Sequence, residues 1–412
     1  HAWTDATQTN WNGILGRMVI EATDPVYFSD MQIYPDVDKK QVEVKLCVES
    51  PKTAACDIEL RVDGLQPATS VKADLSKGSN TISATVPMGS DVKLWNEFHP
   101  NLYTMTASLS GDNVADVTSA TFGMRDFKTD GTQFVINGDK TFLRGTHDAC
   151  VFPLTAYCPT DVDEWRRTFR IAKEYGINHY RFHSYTPTEA AFQAADELGV
   201  YLHPELPLWG GIDRYSVEQN EFLRHEAFTM LKEFGNHPSF VSMGLGNEIS
   251  GDTAVMHQWL DDFRAVDSRH LYSMGANNDL GWKGPKIGDD MNITCRVGGG
   301  EGTSTHTRTS FSFADADGGG ILNTERPNTR RDFSYPVSLC PTPIVSHESA
   351  QFQIYPDYTE IPKYTGVLYP YNLEIFRERL RPNGMTPQIN DFHMATGLWA
   401  VECYKADMET CL

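Results

Sequence analysis

Two glutamates stand where a hydrolytic centre would need them. Glu248 closes the run Phe240-Val241-Ser242-Met243-Gly244-Leu245-Gly246-Asn247-Glu248, and Glu348 closes Pro343-Ile344-Val345-Ser346-His347-Glu348. Each carboxyl ends an apolar stretch short enough to be a buried strand. If the two strands belong to one parallel barrel, both carboxyls open into the same mouth, at the C-terminal ends of the strands. Cleaving a glycosidic bond needs such a pair. One carboxyl stays protonated to donate to the leaving oxygen, and the other stays ionised to attack the anomeric carbon. The alternative for either residue is a solvated loop acid with no chemistry, and the asparagine directly before Glu248 favours the catalytic pair.

The elements that must position this pair fall into two regimes. From Pro25 to Phe122 the chain alternates apolar and polar residues, as in Val42-Glu43-Val44-Lys45-Leu46-Cys47-Val48 and Ile58-Glu59-Leu60-Arg61-Val62. Short strands separated by turn residues predict an antiparallel, immunoglobulin-like β-sandwich over 25–123. Beyond Gly123, apolar runs alternate with helical stretches, the pattern of repeated βα units. Strands are expected at Thr141–Arg144, Ile177–Phe182, Val200–Glu205, Phe240–Leu245, Leu271–Met274, Ile293–Arg296 and Pro343–His347. Helices are expected at Asp163–Tyr175, Pro187–Leu198, Gln219–Phe234, Val255–Val266 and from Asn390 to Cys411. Gly176 and Gly199 stand where helix ends need a left-handed residue. The pattern predicts a (β/α)8 TIM barrel over 124–412 that is truncated before its last strand, with Gly298–Tyr335 as a long loop over its mouth. Both ends of the chain look cut, and an isolated seven-strand fragment is expected to be marginal.

Bulk properties narrow the partners. The chain has 412 residues and a formal net charge of -20, which argues against nucleic acid because phosphate binding needs basic patches. No run of about 18 apolar residues predicts a membrane span. The eight cysteines contain no CxxC pair, so no zinc site is expected; Cys150 and Cys158 are either two thiols or one bridge. No His, Asp or Glu spacing suggests a metal, and no cofactor is expected. With no signal sequence to read at His1, location is left open, with a periplasmic or secreted site the expectation. Oligomeric state is not legible.

Several phrases resemble glycoside hydrolase family 2. Gly235-Asn236-His237-Pro238-Ser239 followed by Gly246-Asn247-Glu248 is similar to that family's acid/base signature. Leu94-Trp95 with Pro100-Asn101-Leu102-Tyr103 resembles the close of its immunoglobulin-like domain. Phe122-Gly123-Met124-Arg125, Ile136-Asn137-Gly138 and Phe142-Leu143-Arg144-Gly145 resemble its passage into the barrel. Thr9-Asn10-Trp11-Asn12-Gly13-Ile14 resembles the end of its N-terminal sugar-binding domain, which assigns residues 1–24 to that domain's tail. The resemblance implies a retaining exo-β-glycosidase, most often a β-galactosidase, with β-glucuronidase or β-mannosidase specificity as alternatives. It implies Glu248 as acid/base, Glu348 as nucleophile and Asn247 as holder of the sugar 2-hydroxyl. Arg181 would set a cation beside the nucleophile. This chain departs from the family where His183 follows Arg181 by two residues rather than three, and where His347 precedes and Ser349-Ala350-Gln351 follow the nucleophile.

The remaining candidates are His147 and Asp148 at the first strand's end, readers of sugar hydroxyls or structural residues in equal measure. Trp209 is either a stacking platform for a sugar ring or core. His347 is expected to line the subsite or tune Glu348. Glu205 is expected to anchor a loop rather than catalyse, and Gln351, Gln353 and Tyr355 are weaker pocket candidates. A catalytically silent carbohydrate-binding barrel and an endo-acting hydrolase are the rival readings.

Overall fold

Alternation builds the first half of the molecule. The computed structural model describes residues 13–112, 114–152, 154–281, 283, 284, 286–297, 307, 308, 326–330, 334–348 and 352–411. Residues 13–24 run as irregular chain, and Thr9–Asn12 of the upstream phrase lie outside the described residues. Seven strands follow: β1 (Tyr27–Asp36), β2 (Gln41–Ser50), β3 (Ala54–Val62), β4 (Thr69–Leu75), β5 (Gly78–Pro87), β6 (Tyr103–Gly111) and β7 (Val114–Phe122). They form two antiparallel sheets, ordered β1-β2-β5 and β4-β3-β6-β7. Val42, Val44, Leu46 and Val48 of β2 are fully buried, and they share one core with Ile58, Leu60, Met105 and Ala107 from the facing sheet. Each such burial stabilises the sandwich by about 1.5–3 kcal/mol.

A small antiparallel sheet of β8 (Phe127–Asp130), β9 (Gln133–Ile136) and β10 (Asp139–Thr141) links the halves. The parallel region then runs β11 (Gly145–Asp148), α1 (Val162–Glu174), β12 (His179–Phe182), α2 (Glu189–Leu198), β13 (Tyr201–Pro204), β14 (Gly211–Ile212), α3 (Val217–Phe234) and β15 (Ser242–Gly244). It continues with β16 (Ser250–Gly251), α4 (Thr253–Val266), β17 (Leu271–Ser273), β18 (Asn292–Thr294), β19 (Arg296–Val297), β20 (Thr307–Arg308), α5 (Ser334–Ser338) and β21 (Ile344–Ser346). Two further helices, α6 (Tyr371–Leu380) and α7 (Ile389–Cys411), complete the described chain. β11, β12 and β13 pair in parallel, as do β15 with β17 and β18 with β21. Parallel bridges at Leu202–Phe240, Glu205–Gly244, Asn247–Ala276 and Ala276–Ile293 join these groups, so each main strand lies beside its neighbour in chain order. Gly176 and Gly199 adopt φ of 80° and 69°, the left-handed helix ends their positions predict.

The first parallel strand is a correction. It was expected at Thr141–Arg144, but it forms at Gly145–Asp148, paired with His179–Phe182. The Asn178 side chain explains the offset: its Oδ1 accepts from Arg144 N and its Nδ2 donates to Phe142 O. Those backbone groups are therefore taken before the parallel ladder begins, and Phe142 is left exposed. Most of Gly298–Tyr335 lies outside the described residues, although Thr307–Arg308 pairs with Arg296–Val297 and α5 begins at Ser334.

Polar side chains lock the sandwich to the parallel region. Asn236 Oδ1 accepts from Ile33 N while its Nδ2 donates to Met31 O, and Arg269 donates to Ile33 O. Arg125, buried at 7% exposure, donates to the carbonyls of Pro238, Phe240 and Arg269. A Cβ on Gly123 would come within 2.8 Å of both Trp95 and Pro238, so no larger residue fits that crossing. His237 Nδ1 and Ser239 N are both bound to Asp196, at 2.6 and 3.0 Å. The Asn-His-Pro-Ser phrase thus does structural work at the far end of the fourth parallel strand from Glu248.

Candidate active site

The parallel strands end in backbone that ordinary residues avoid. Ser184, Glu248, Asn277 and Glu348 have φ of 56°, 47°, 55° and 42°, in the left-handed region where a side chain is disfavoured. All four follow parallel strands on the same side of the sheet, and strain of this kind collects where function requires a fixed side-chain direction. Neighbouring glycines allow the bend at Glu248. Gly246 has φ of 144°, and a Cβ there would lie 2.2 Å from Leu208 O. The turn is fixed by hydrogen bonds from Asn247 N to Leu208 O and from Glu248 N to Ala276 O.

The two glutamates converge on one histidine. His347 Nε2 lies 3.6 Å from Glu248 Oε1 and 3.5 Å from Glu348 Oε1. These two oxygens can be no further apart than the two distances combined. The two carboxyls therefore open on one small space around a single imidazole. His183 Nε2 also approaches Glu348 Oε1, at 3.6 Å, so the altered Arg-to-His spacing still delivers an imidazole to Glu348. Burial and the neighbouring Arg181 push His183 below the usual histidine range, favouring the neutral ring.

Arg181 organises the floor. Its Nε and Nη2 donate to the two oxygens of Glu205 at 2.7 and 3.2 Å, its Nη2 donates to Asn247 Oδ1 at 2.7 Å, and its Nη1 faces His347 Nδ1 at 3.4 Å. The cation expected beside Glu348 is therefore taken up first by Glu205. Glu205 is fully buried, yet its carboxyl sits below the usual range, because Arg181 outweighs the desolvation that opposes it. Ser184 N donates to the same carboxylate at 2.8 Å, which ties Glu205 to the backbone that follows β12. With Oδ1 bound to Arg181, the Asn247 amide is oriented and its buried Nδ2 has no hydrogen-bond partner among the described residues.

Asn277 is the residue the sequence reading missed. It follows β17, its Oδ1 accepts from Cys295 N at 3.1 Å, and its Nδ2 donates to Glu248 Oε1 at 3.2 Å. The His347 ring 3.6 Å away and the hydrogen bond from Asn277 hold the Glu248 carboxyl below its usual range against the opposing effect of burial. This environment suits a base, whereas the donor half of a retaining reaction needs a protonated carboxyl.

The other candidates separate. His147 aligns with Arg181 in the β11–β12 ladder. Asp148 Oδ1 accepts from Tyr185 Oη at 2.8 Å and Cys150 N at 2.7 Å, so that oxygen serves the fold. Trp209 is 41% exposed and packs T-shaped against His183, with ring centroids 5.1 Å apart. Tyr355 is drawn away to α7, where its N donates to Thr396 and its carbonyl accepts from His393. Gln351 lies outside the described residues. Cys150 and Cys158 are free buried thiols hydrogen-bonded to each other, which corrects the bridge alternative. No described helix is long and apolar enough to cross a membrane.

With this geometry in hand, similarity to known proteins becomes informative. Residues 26–125 match the family model Glycosyl hydrolases family 2. A β-galactosidase of Thermoanaerobacterium thermosulfurigenes is 31% identical over 168 residues, covering 40% of this chain and 23% of that protein. A β-glucuronidase of Paenibacillus borealis is 26% identical over 283 residues, covering 63% of this chain and 45% of that protein. The crystal structure of Parabacteroides merdae β-glucuronidase superposes with a TM-score of 0.54 at 21% identity, over 67% of this chain and 36% of that one, which supports a shared fold. The chain spans less than half the length of these curated relatives. The similarity to glycosyl hydrolases of family 2 thus rests on residues 26–125 and on relatives that each match part of the chain.

Proposed function

We propose that the chain carries the catalytic centre of a retaining exo-β-glycosidase that removes terminal β-linked sugars, with β-galactosidase-type specificity as the leading reading. The observation that carries it is the approach of Glu248 and Glu348 to one histidine nitrogen, at 3.6 and 3.5 Å. The parallel region is read as part of a (β/α)8 barrel over 124–412, and residues 25–123 as an immunoglobulin-like domain.

In the first step a Glu348 oxygen bonds to the anomeric carbon as the bond from that carbon to the leaving oxygen breaks. The leaving oxygen takes the proton from Glu248. In the second step a water oxygen bonds to the same carbon, the bond to Glu348 breaks, and Glu248 takes the water proton. Asn247 presents its Nδ2 to the sugar 2-hydroxyl, oriented by Arg181. His183 supports the Glu348 carboxylate, and Trp209 offers its exposed face to the apolar side of the sugar ring. His147 reads a sugar hydroxyl at the rim.

A second reading, β-glucuronidase specificity, is favoured by the name of the Paenibacillus relative, which covers more of this chain than the galactosidase does. Turnover of a panel of aryl β-glycosides tests both, with soluble polysaccharides as the endo control. Glu348→Ala is expected to be inactive and to form an inverted glycosyl azide when azide is added. An absence of turnover on every glycoside by the unaltered protein would refute the enzyme reading.

A further inference from the structure

The environment of His347 goes beyond a residue that lines a pocket. Its ring is 3% exposed, and its backbone is fixed by the hydrogen bond from His347 N to Thr294 O at 3.1 Å. Nδ1 faces Arg181 Nη1 at 3.4 Å. A guanidinium only donates, so Nδ1 must accept, and in the neutral ring the proton then resides on Nε2. That Nε2–H is buried, and among the described residues it makes no hydrogen bond of normal length. It is suspended between Glu248 and Glu348, a little too far from each, so a small tilt of the ring completes a bond to one and forfeits the other.

The groups that face this imidazole bear on its charge. Arg181 and His183 approach from β12, Glu205 stands behind Arg181 from β13, and His147 lies alongside in β11. Glu248 and Glu348 complete the ring of neighbours. Arg181 is matched by Glu205, and its guanidinium occupies the Nδ1 side of the imidazole. His347 therefore carries one N–H and two possible acceptors.

We propose that His347 is the positioning residue that assigns the acid and base roles within the pair, by moving a single N–H hydrogen bond from Glu348 to Glu248 as the reaction proceeds. This rests on the retaining-glycosidase reading above. Before glycosylation, negative charge sits on Glu348, and the N–H bonds there because hydrogen bonds to a charged acceptor are the stronger ones. Glu248, freed of that donor, keeps its proton and serves as the acid. Once the anomeric carbon has bonded to Glu348, that group is a neutral ester and the charge sits on Glu248, which has given up its proton. The N–H follows the charge, stabilises ionised Glu248 and makes it the base for the incoming water. His347 never loses its own proton.

The test compares His347→Leu, which removes the donor at similar size, with His347→Gln, whose amide reaches the position of Nε2. For the unaltered protein and both variants, pH profiles are recorded for kcat/KM, which reports glycosylation, and for kcat on a dinitrophenyl glycoside, which reports deglycosylation. Without the donor, both carboxylates lose support for their ionised forms. The acid limbs of both profiles are expected to move up by about one pH unit in His347→Leu and to return in His347→Gln. A packing role alone would lower rates and leave both limbs in place, and that result overturns the proposal. So does a shift in only one of the two steps. If His347→Leu does not fold, His347→Asn, too short to reach both carboxylates, is expected to give the same displacement. If the unaltered protein turns over no glycoside, the glycosidase reading falls and takes this proposal with it; turnover with unmoved limbs refutes the proposal alone.

Discussion

The sandwich and the parallel region handle their polar groups in opposite ways. In β2 the buried residues are Val42, Val44, Leu46 and Val48, each directed into an apolar core. At the mouth of the parallel region the buried residues are Arg181, His183, His203, Glu205, Asn247 and His347. The sandwich meets the cost of ordering the chain with regular apolar burial, and its positions are interchangeable as long as volume is kept. The parallel strand ends hold a charged network whose members are oriented one by one, on backbone bent into left-handed φ. On the proposed function, stability and chemistry are carried by different parts of one chain, and substitutions should separate them.

The sharpest separation is expected at Glu348. If Glu348 is the nucleophile proposed above, Glu348→Gln should lower kcat by about 10⁴-fold or more, since removing a nucleophile disables the catalytic unit as a whole, while thermal unfolding stays cooperative at an unchanged or higher midpoint. A loss of activity accompanied by unfolding would erase the contrast. Leu46→Ala is the converse: about 2–5 kcal/mol of stability lost in a denaturant titration, with kcat of the folded protein unaltered. Asn236→Ala attacks the joint between the regions by removing the bonds to Ile33 N and Met31 O. A cost of about 1–3 kcal/mol is expected, read as two unfolding transitions where the parent shows one.

Smaller effects refine the picture within the parallel region. Asn277→Ala removes the Nδ2 donor to Glu248, and kcat is expected to fall about 10-fold, equivalent to about 1.4 kcal/mol, with the limb that reports Glu248 moved to higher pH. Unchanged pH profiles would reduce Asn277 to a loop anchor. The last prediction concerns acid. Burial holds His179 near about 3 and His203 near about 4, below the ordinary 6.5. Both stay neutral in the fold while the unfolded chain takes up protons below about 6.5. Their contribution to stability is complete above that pH and is lost as pH falls toward 4. Over the first pH unit the loss should be on the order of 1 kcal/mol per histidine. Unfolding at pH 7.0 and 5.5 checks this, and His203→Asn should flatten the slope.

How far the site was legible can be traced residue by residue. Glu248 and Glu348 were readable because a carboxyl directly after an apolar run has one place to go in a parallel sheet. Asn247 was readable from the phrase around it. Asn277 was invisible, since an amide after Met274-Gly275-Ala276 belongs to no pattern and acquires meaning only when Ala276 bridges both Asn247 and Ile293. Arg181 was expected at the mouth of its strand, whereas its partner Glu205 is set by strand neighbourhood, which local sequence does not encode. The first strand was displaced because Phe142-Leu143 supplied the apolar pair that a strand search seeks, whereas the Asn178 side chain claims that backbone from another turn of the fold.

What the sequence alone determined was therefore periodic or local. Alternation determined the sandwich, and helix ends such as Gly176 and Gly199 were determined by the left-handed conformation that glycine tolerates. Only the tertiary structure decided which side chains meet. His347 precedes Glu348 in the chain, yet its character comes from Arg181 on one nitrogen and from two carboxylates about equally distant on the other. Burial removes the water that would otherwise satisfy that N–H, and the fold, by aligning β12, β15 and β21, leaves it two acceptors.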